Sequence, residues 1–217
     1  MLEHNEILRY MSIQTDDGTL DTLIDRAEKE VIAVSRPRHV SRHIDIAVNM
    51  EKGTVNHAGT DIKSRDLSAH LNVCSERFLF ACTHGIVVDS LVKRYSLTEL
   101  HMLPVVQATA AAYTEYCADY AQQELEMYAA QHSLYLRPRY SPGYGDFQLS
   151  CQRFLFDALQ ISKNIGVSLT DSFLMVPFKS VTAVIGVSND PTQCHINKCM
   201  TCTTKNCPFR KEKRINE

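Results

Sequence analysis

Arg139-Tyr140-Ser141-Pro142-Gly143-Tyr144 lies between a long helical pattern and a C-terminal hairpin pattern. Pro142-Gly143 is a turn signal: proline presets φ at the first central position of a type II turn, and glycine accepts positive φ at the second. The turn holds Arg139 and Tyr144 at opposite ends of one short loop. A guanidinium fork suits a carboxylate or phosphate. A phenol offers a flat apolar face with a polar tip. Together they read as a clamp for a zwitterionic ligand that also bears an aromatic ring. Taken alone, the six residues also fit a solvated arginine and two tyrosines covering a core edge.

Working outward, Phe147 to about Lys163 reads as a helix with Leu149, Phe156 and Leu159 in its core. Ile165 to Val187 reads as a hairpin turning near Pro177 to Lys179. Upstream, a long helix runs from near Pro104 to about His132, its first half rich in Ala108, Ala110, Ala111 and Ala112. Gly85 to Tyr95 is helical, and Arg77 to Thr83 is a compact apolar strand. Ser64-Arg65-Asp66 opens a short helix through Leu71, and Lys52-Gly53 turns the chain into a strand over Thr54 to His57. Val40 to Val48 alternates as a half-buried strand. Glu3 to Met11 forms a short helix. A second helix, capped by Asp16 or Asp17, ends at Arg36-Pro37 and puts Leu20, Leu23, Ile24, Ala27 and Val31 on one face. Strands mixed with helices, without regular βαβ alternation, give an α+β fold. No GxGxxG loop or Walker phosphate loop is present.

The 217 residues suit one large domain with a small appendage. A formal charge of −2 gives no overall attraction to nucleic acid or anionic membrane. No apolar run approaches the roughly 18 residues of a membrane span. The start, Met1-Leu2-Glu3-His4-Asn5-Glu6, lacks the basic and apolar regions of a secretory signal, so the expected address is cytoplasmic. Of eight cysteines, Cys74, Cys82, Cys117 and Cys151 are scattered and read as small buried hydrophobes. No HExxH pattern occurs, and His39, His43, His57, His70 and His84 read as surface or satisfied core residues.

The other four cysteines form Cys194-x4-Cys199-x2-Cys202-x4-Cys207 in a tail with little other apolar content. Clustered thiolates suit zinc or an iron–sulfur cluster, and free thiols on a flexible tail are the competing reading. The tail is basic but carries only Phe209 as a stacking aromatic, which argues against a nucleic-acid role. A boundary falls near Ser188, giving a domain over 1–188 and a cysteine-rich metal-binding tail over 189–217.

Read together, the loop, Leu169-Thr170-Asp171-Ser172-Phe173-Leu174-Met175-Val176-Pro177 and Ser180-Val181-Thr182-Ala183 have the order found in one known family. Ala112-Tyr113-Thr114-Glu115-Tyr116 matches that family's long helix, while Leu79 to Gly85 and Glu6 to Tyr10 match its standalone versions. The chain resembles the activation domain of cobalamin-dependent methionine synthase. The resemblance implies a mostly antiparallel twisted sheet with long helices. It also implies S-adenosylmethionine binding, with Arg139 meeting the ligand carboxylate and backbone near Ser141 and Gly143 approaching the ligand. Tyr144 would pack on it, and Glu115 would take its ammonium. Standalone relatives end in a similar Cys-x2-Cys-x4-Cys run, and a cluster there would set a one-electron carrier beside the site.

The implied role is reductive methylation of cobalamin carried by a partner, in a split cobalamin-dependent methionine synthase or related corrinoid methyltransferase system. The partners would be a corrinoid-binding protein or methyltransferase subunit and an electron-donor protein. The alternative is a non-catalytic module that senses S-adenosylmethionine or docks a corrinoid protein, its tail holding structural zinc or an iron–sulfur cluster. The chain departs from the fused enzyme after the hairpin, where Asn189 to His195 replaces a Tyr-rich segment.

Overall fold

The apolar run at 77–83 is the middle of the molecule. In the computed structural model, which describes residues 2–13, 18–57, 60–191 and 194, this run is β5 (Glu76–Thr83), buried from Arg77 onward. It pairs antiparallel with β1 (Arg38–Asp45) on one side and β9 (Ser180–Ser188) on the other. β6 (Tyr135–Leu136) adds beyond β9, so the sheet order is β1-β5-β9-β6.

Alternation along β5 and β9 divides the core between two faces. Phe78, Phe80, Cys82, Ala183, Ile185 and Val187 meet Cys117, Ala118, Ala121 and Leu125 in the second half of α5 (Leu103–Gln131). Leu79, Ala81 and Val184 point the other way. There they meet α3 (Arg65–His70), α6 (Gln152–Leu159) and α7 (Ile161–Ile165) through Leu67, Leu155, Phe156, Leu159, Ile161 and Ile165. Arg77 is also on this face, and among the described residues its guanidinium has no hydrogen-bond partner. Burial pulls its pKa down to about 10. The alanine-rich first half of α5 packs against α1 (His4–Tyr10), α2 (Asp21–Val34) and α4 (Ile86–Thr98), with Ile7, Ile24, Ala27, Val31, Val88 and Leu91 in the seam. Small side chains let these helices approach closely, and Pro104 stands in the first turn, where its missing N–H costs nothing.

Three expectations change. The strand over Val40 to Val48 is two strands: β1 stops at Asp45, and β2 (Ala47–Asn49) joins β3 (Thr54–His57) and β4 (Thr60–Lys63) in a separate small sheet. The Ile46 N–H bonds to the Ser75 carbonyl at this break, while Val40, Ile44, Ile46 and Val48 still pack on one core. The helix over 147–163 is interrupted at Gln160, whose φ of 47° ends α6 and starts α7, and Leu149 is partly exposed. The hairpin over 165–187 is really β7 (Ser168–Leu169) paired with β8 (Met175–Val176) around a Thr170–Leu174 turn. β9 then belongs to the main sheet. Pro177 has no N–H to continue a ladder, which separates β8 from β9. Asp16 and Asp17, the expected caps of α2, lie outside the described residues.

Cys74, Cys82 and Cys117 are buried free thiols and Cys151 is half-buried. Burial pushes Cys82 up to about 12 and Cys117 up to about 11, which leaves them as unreactive hydrophobes. Among the described residues, no helix is long and apolar enough to cross a membrane.

Candidate functional site

The segment from β6 to the Pro-Gly turn runs along β9, and a one-residue bulge decides where Arg139 points. Leu136 stands opposite Val187 and Tyr140 opposite Val184, so four steps on one strand match three on the other. The Arg137 N–H bonds to the Gly186 carbonyl at 2.8 Å, and Pro138, which has no N–H, is the extra residue. Without the bulge, Arg139 would share the face of Val184. With it, Arg139 turns to the α5 side, and Tyr140 stacks on His70 and Phe147 on the other side.

On α5, Glu115, Asp119 and Gln122 fall at i, i+4 and i+7, one face of the helix. Arg139 donates from Nη2 to Glu115 Oε2 at 2.9 Å and to Asp119 Oδ1 at 2.6 Å, and from Nη1 to Gln122 Oε1 at 2.9 Å. Its side chain is 15% exposed, against 40% for Glu115 and 62% for Asp119. Burial works against the guanidinium charge, but the Asp119 and Glu115 carboxylates outweigh it and hold the pKa above its ordinary value.

The turn has the expected type. The Tyr144 N–H reaches the Ser141 carbonyl at 3.3 Å, and Gly143 sits at φ 97° in the second central position. A Cβ on Gly143 would meet only Leu149 Cδ1 at 3.5 Å, so this stretch of backbone is open to an approaching ligand. Tyr144 is 62% exposed, its ring 6.4 Å from that of Tyr140. The structure therefore brings Arg139 and Glu115 into contact and places Ser141, Gly143 and Tyr144 along the adjoining turn.

Residues outside the expected set hold this loop in place. The Asp146 carboxylate accepts from Ser64 Oγ and from the N–H groups of Arg65 (2.8 Å) and Asp66 (3.1 Å), at the start of α3. Asp66 Oδ2 accepts the Asp146 N–H at 2.9 Å in return. The Ser64 hydroxyl, then the two backbone donors, hold the Asp146 carboxyl below its usual pKa. His70 Nε2 meets the Pro138 carbonyl at 2.9 Å. The i, i+4, i+7 spacing puts Asp119 and Gln122 on the helix face of Glu115 but does not by itself mark them as partners of Arg139, and the Asp146 cap, bridging some 80 residues, leaves no sequence signal.

Of the expected surface or core histidines, His39, His43, His70 and His84 each meet a protein partner. His84 is fully buried between Ser35 Oγ and Thr114 Oγ1, each at 3.3 Å, and burial pushes its pKa down to about 4. His39 pairs with Glu124 and His43 with Glu76. Among the described residues, His4, Asp25 and Glu28 have ligand-capable atoms within 4.8 Å of one another. These groups already serve helix packing: His4 bridges Asp21 and Asp25, and Glu28 accepts the Leu2 N–H. Of the four tail cysteines, only Cys194 is described; it is buried, with Sγ 3.4 Å from the Asp190 carbonyl. Cys199, Cys202 and Cys207 lie outside the described residues.

A separate groove of about 380 Å³ is lined by Pro37, Arg38 and His39 of the β1 edge and by Tyr113, Tyr116 and Tyr120 of α5. None of the loop residues lines it. The tyrosines and the Glu115–Gln122 face flank opposite sides of the buried α5 stripe through Cys117, Ala121 and Leu125.

The family model described as "Vitamin B12 dependent methionine synthase, activation domain" matches residues 75–212. The fold is similar to a crystal structure of the MetH reactivation domain bound to AdoHcy, with a TM-score of 0.61 and 16% sequence identity, covering 90% of this chain and 71% of that one. No curated protein matches the chain by sequence. With the loop, the long helix and strands β5, β6 and β9 of the central sheet inside the matched span, the chain belongs to the family of vitamin B12-dependent methionine synthase activation domains.

Proposed function

We propose that the chain binds S-adenosylmethionine at the Arg139 loop and presents its methyl group to a corrinoid carried by a partner protein, in the cytoplasm. The observation that carries this reading is the Arg139–Glu115 contact at 2.9 Å beside an open type II turn. A guanidinium and a carboxylate at that spacing complement the carboxylate and ammonium of an amino acid. Tyr144, exposed at the end of the turn, offers a face for the rest of the ligand. Family membership and the AdoHcy-bound neighbour of the same fold support the choice of ligand.

A sulfonium is already an activated methyl donor, so the work of these residues is placement, not acid–base chemistry. Arg139 and Glu115 grip the methionine end, the turn backbone lines the middle, and the methyl stays exposed. The partner's reduced cobalt supplies the nucleophile. The full chain should therefore bind S-adenosylmethionine in a calorimetric titration. Methyl transfer to added cob(I)alamin would place the chain in a split methionine synthase or related corrinoid methyltransferase system. Binding without transfer would assign it to sensing or docking.

The same reading gives residues 1–188 the ligand-binding role and residues 189–217 a metal site built from Cys194, Cys199, Cys202 and Cys207, as zinc or an iron–sulfur cluster. In the cluster form, the tail would receive electrons from a donor protein. Metal and sulfide analysis of the anaerobically purified full chain, with its visible spectrum, is expected to give either one zinc and no colour or iron with sulfide and a broad visible band. A colourless, metal-free chain would eliminate both forms.

A further inference from the structure

We infer that the carboxylates around Arg139 make the site selective for the sulfonium ligand over its thioether product, and that Asp119 sets the preference. The inference rests on the S-adenosylmethionine reading above. Arg139 is one cation shared between two carboxylates, Glu115 at 2.9 Å and Asp119 at 2.6 Å, with Gln122 as a neutral third acceptor. The cluster therefore carries one negative charge in excess. Around it, Arg9 of α1 is paired with Glu6 and Lys179 faces Asp89, while Glu126, which accepts from Gln122 Nε2 at 2.8 Å, adds a further carboxylate on the far side of Gln122.

At neutral pH, S-adenosylmethionine carries a carboxylate, an ammonium and a sulfonium, for a net charge of +1. The demethylated thioether keeps the first two and is neutral overall. Both forms present the same amino-acid end, so a balanced Arg139–Glu115 pair treats them alike. The second carboxylate does not. Asp119 lies one helical turn from Glu115, about 6 Å along the axis, and adds attraction only for the form with the extra cation. Because Asp119 is 62% exposed, water screens the effect. An interaction of this kind corresponds to a preference of about fivefold. It has a direction that suits turnover: the ligand loses the favoured charge when its methyl leaves.

The test is to titrate the full chain with S-adenosylmethionine and with S-adenosylhomocysteine, as wild type and as Asp119→Asn, at low and high salt. Asparagine keeps an oxygen that can accept from Arg139 while removing the charge. The wild type is expected to bind the sulfonium form about fivefold tighter, and Asp119→Asn to bring the ratio close to one, mainly by weakening that form. The wild-type preference should also shrink as salt screens the site. Equal affinity in the wild type, or an unchanged ratio in Asp119→Asn, would overturn the inference and leave the binding reading standing. Failure of both ligands to bind the wild type would remove that reading itself.

Discussion

Replacing Arg139 with alanine is expected to weaken S-adenosylmethionine binding by about 1.5–3 kcal/mol, the scale of a lost charge-assisted hydrogen bond, or roughly 10- to 150-fold. The guanidinium is the cationic half of the proposed clamp, and the bulge at Pro138 is what aims it at α5. Its removal takes away the cation that Glu115 and Asp119 share. Arg139→Lys should recover only part of the loss, because an ammonium keeps the charge but not the planar fork that reaches Glu115, Asp119 and Gln122 together. Calorimetry on the wild type and both variants checks this. Equal affinity in wild type and Arg139→Ala would take Arg139 out of the site.

The second large effect is on the loop's own stability. Gly145→Ala is expected to cost about 2–4 kcal/mol, combining a left-handed backbone with an overpacked contact. Gly145 has φ 53°, and an added Cβ would stand 2.1 Å from Asp66 Oδ2 and 3.0 Å from the Tyr140 hydroxyl. Asp66 is the group that accepts the Asp146 N–H, so the clash falls on the tie between loop and α3. Gly143→Ala is the control. It has a similarly unfavourable φ of 97°, but its nearest contact is Leu149 at 3.5 Å, so it pays the backbone term alone. Denaturant midpoints should rank wild type, Gly143→Ala and Gly145→Ala in falling order. A Gly145→Ala midpoint equal to that of the wild type would contradict the packing described.

Much of the frame could be read from local pattern. Pro104 and the apolar spacing after it delimit α5 to within a residue or so, because a helix of 29 residues carries many turns of signal. Ser64 caps α3 through the Leu67 N–H, as its position before Arg65-Asp66 suggests. Pro142-Gly143 dictates its turn type by the φ values those residues accept. The errors arise where tertiary partners decide. β1 and β2 share one alternating pattern, and only the separate partners of Val40 and Val48 reveal the break. β7 and β8 are two residues each, too short for periodicity, while buried β9 reads as a continuation of either.

The proposed site divides in the same way. Arg139, Gly143 and Tyr144 announce themselves by residue type at a turn. Asp119 and Gln122 share the exposed helix face with Glu115, but nothing local distinguishes them from a solvated surface. Their role depends on the side of the sheet to which Arg139 is turned. A one-residue bulge settles that, and it is visible only once β6 and Tyr140 are aligned against β9.

The most direct test is a crystal structure of the full chain in complex with S-adenosylmethionine. The ligand's carboxylate and ammonium are expected against Arg139 and Glu115, its body along Ser141 to Tyr144, and its sulfonium methyl facing solvent. A ligand seated instead in the groove of Tyr113, Tyr116 and Tyr120, with Arg139 touching no part of it, would contradict the account.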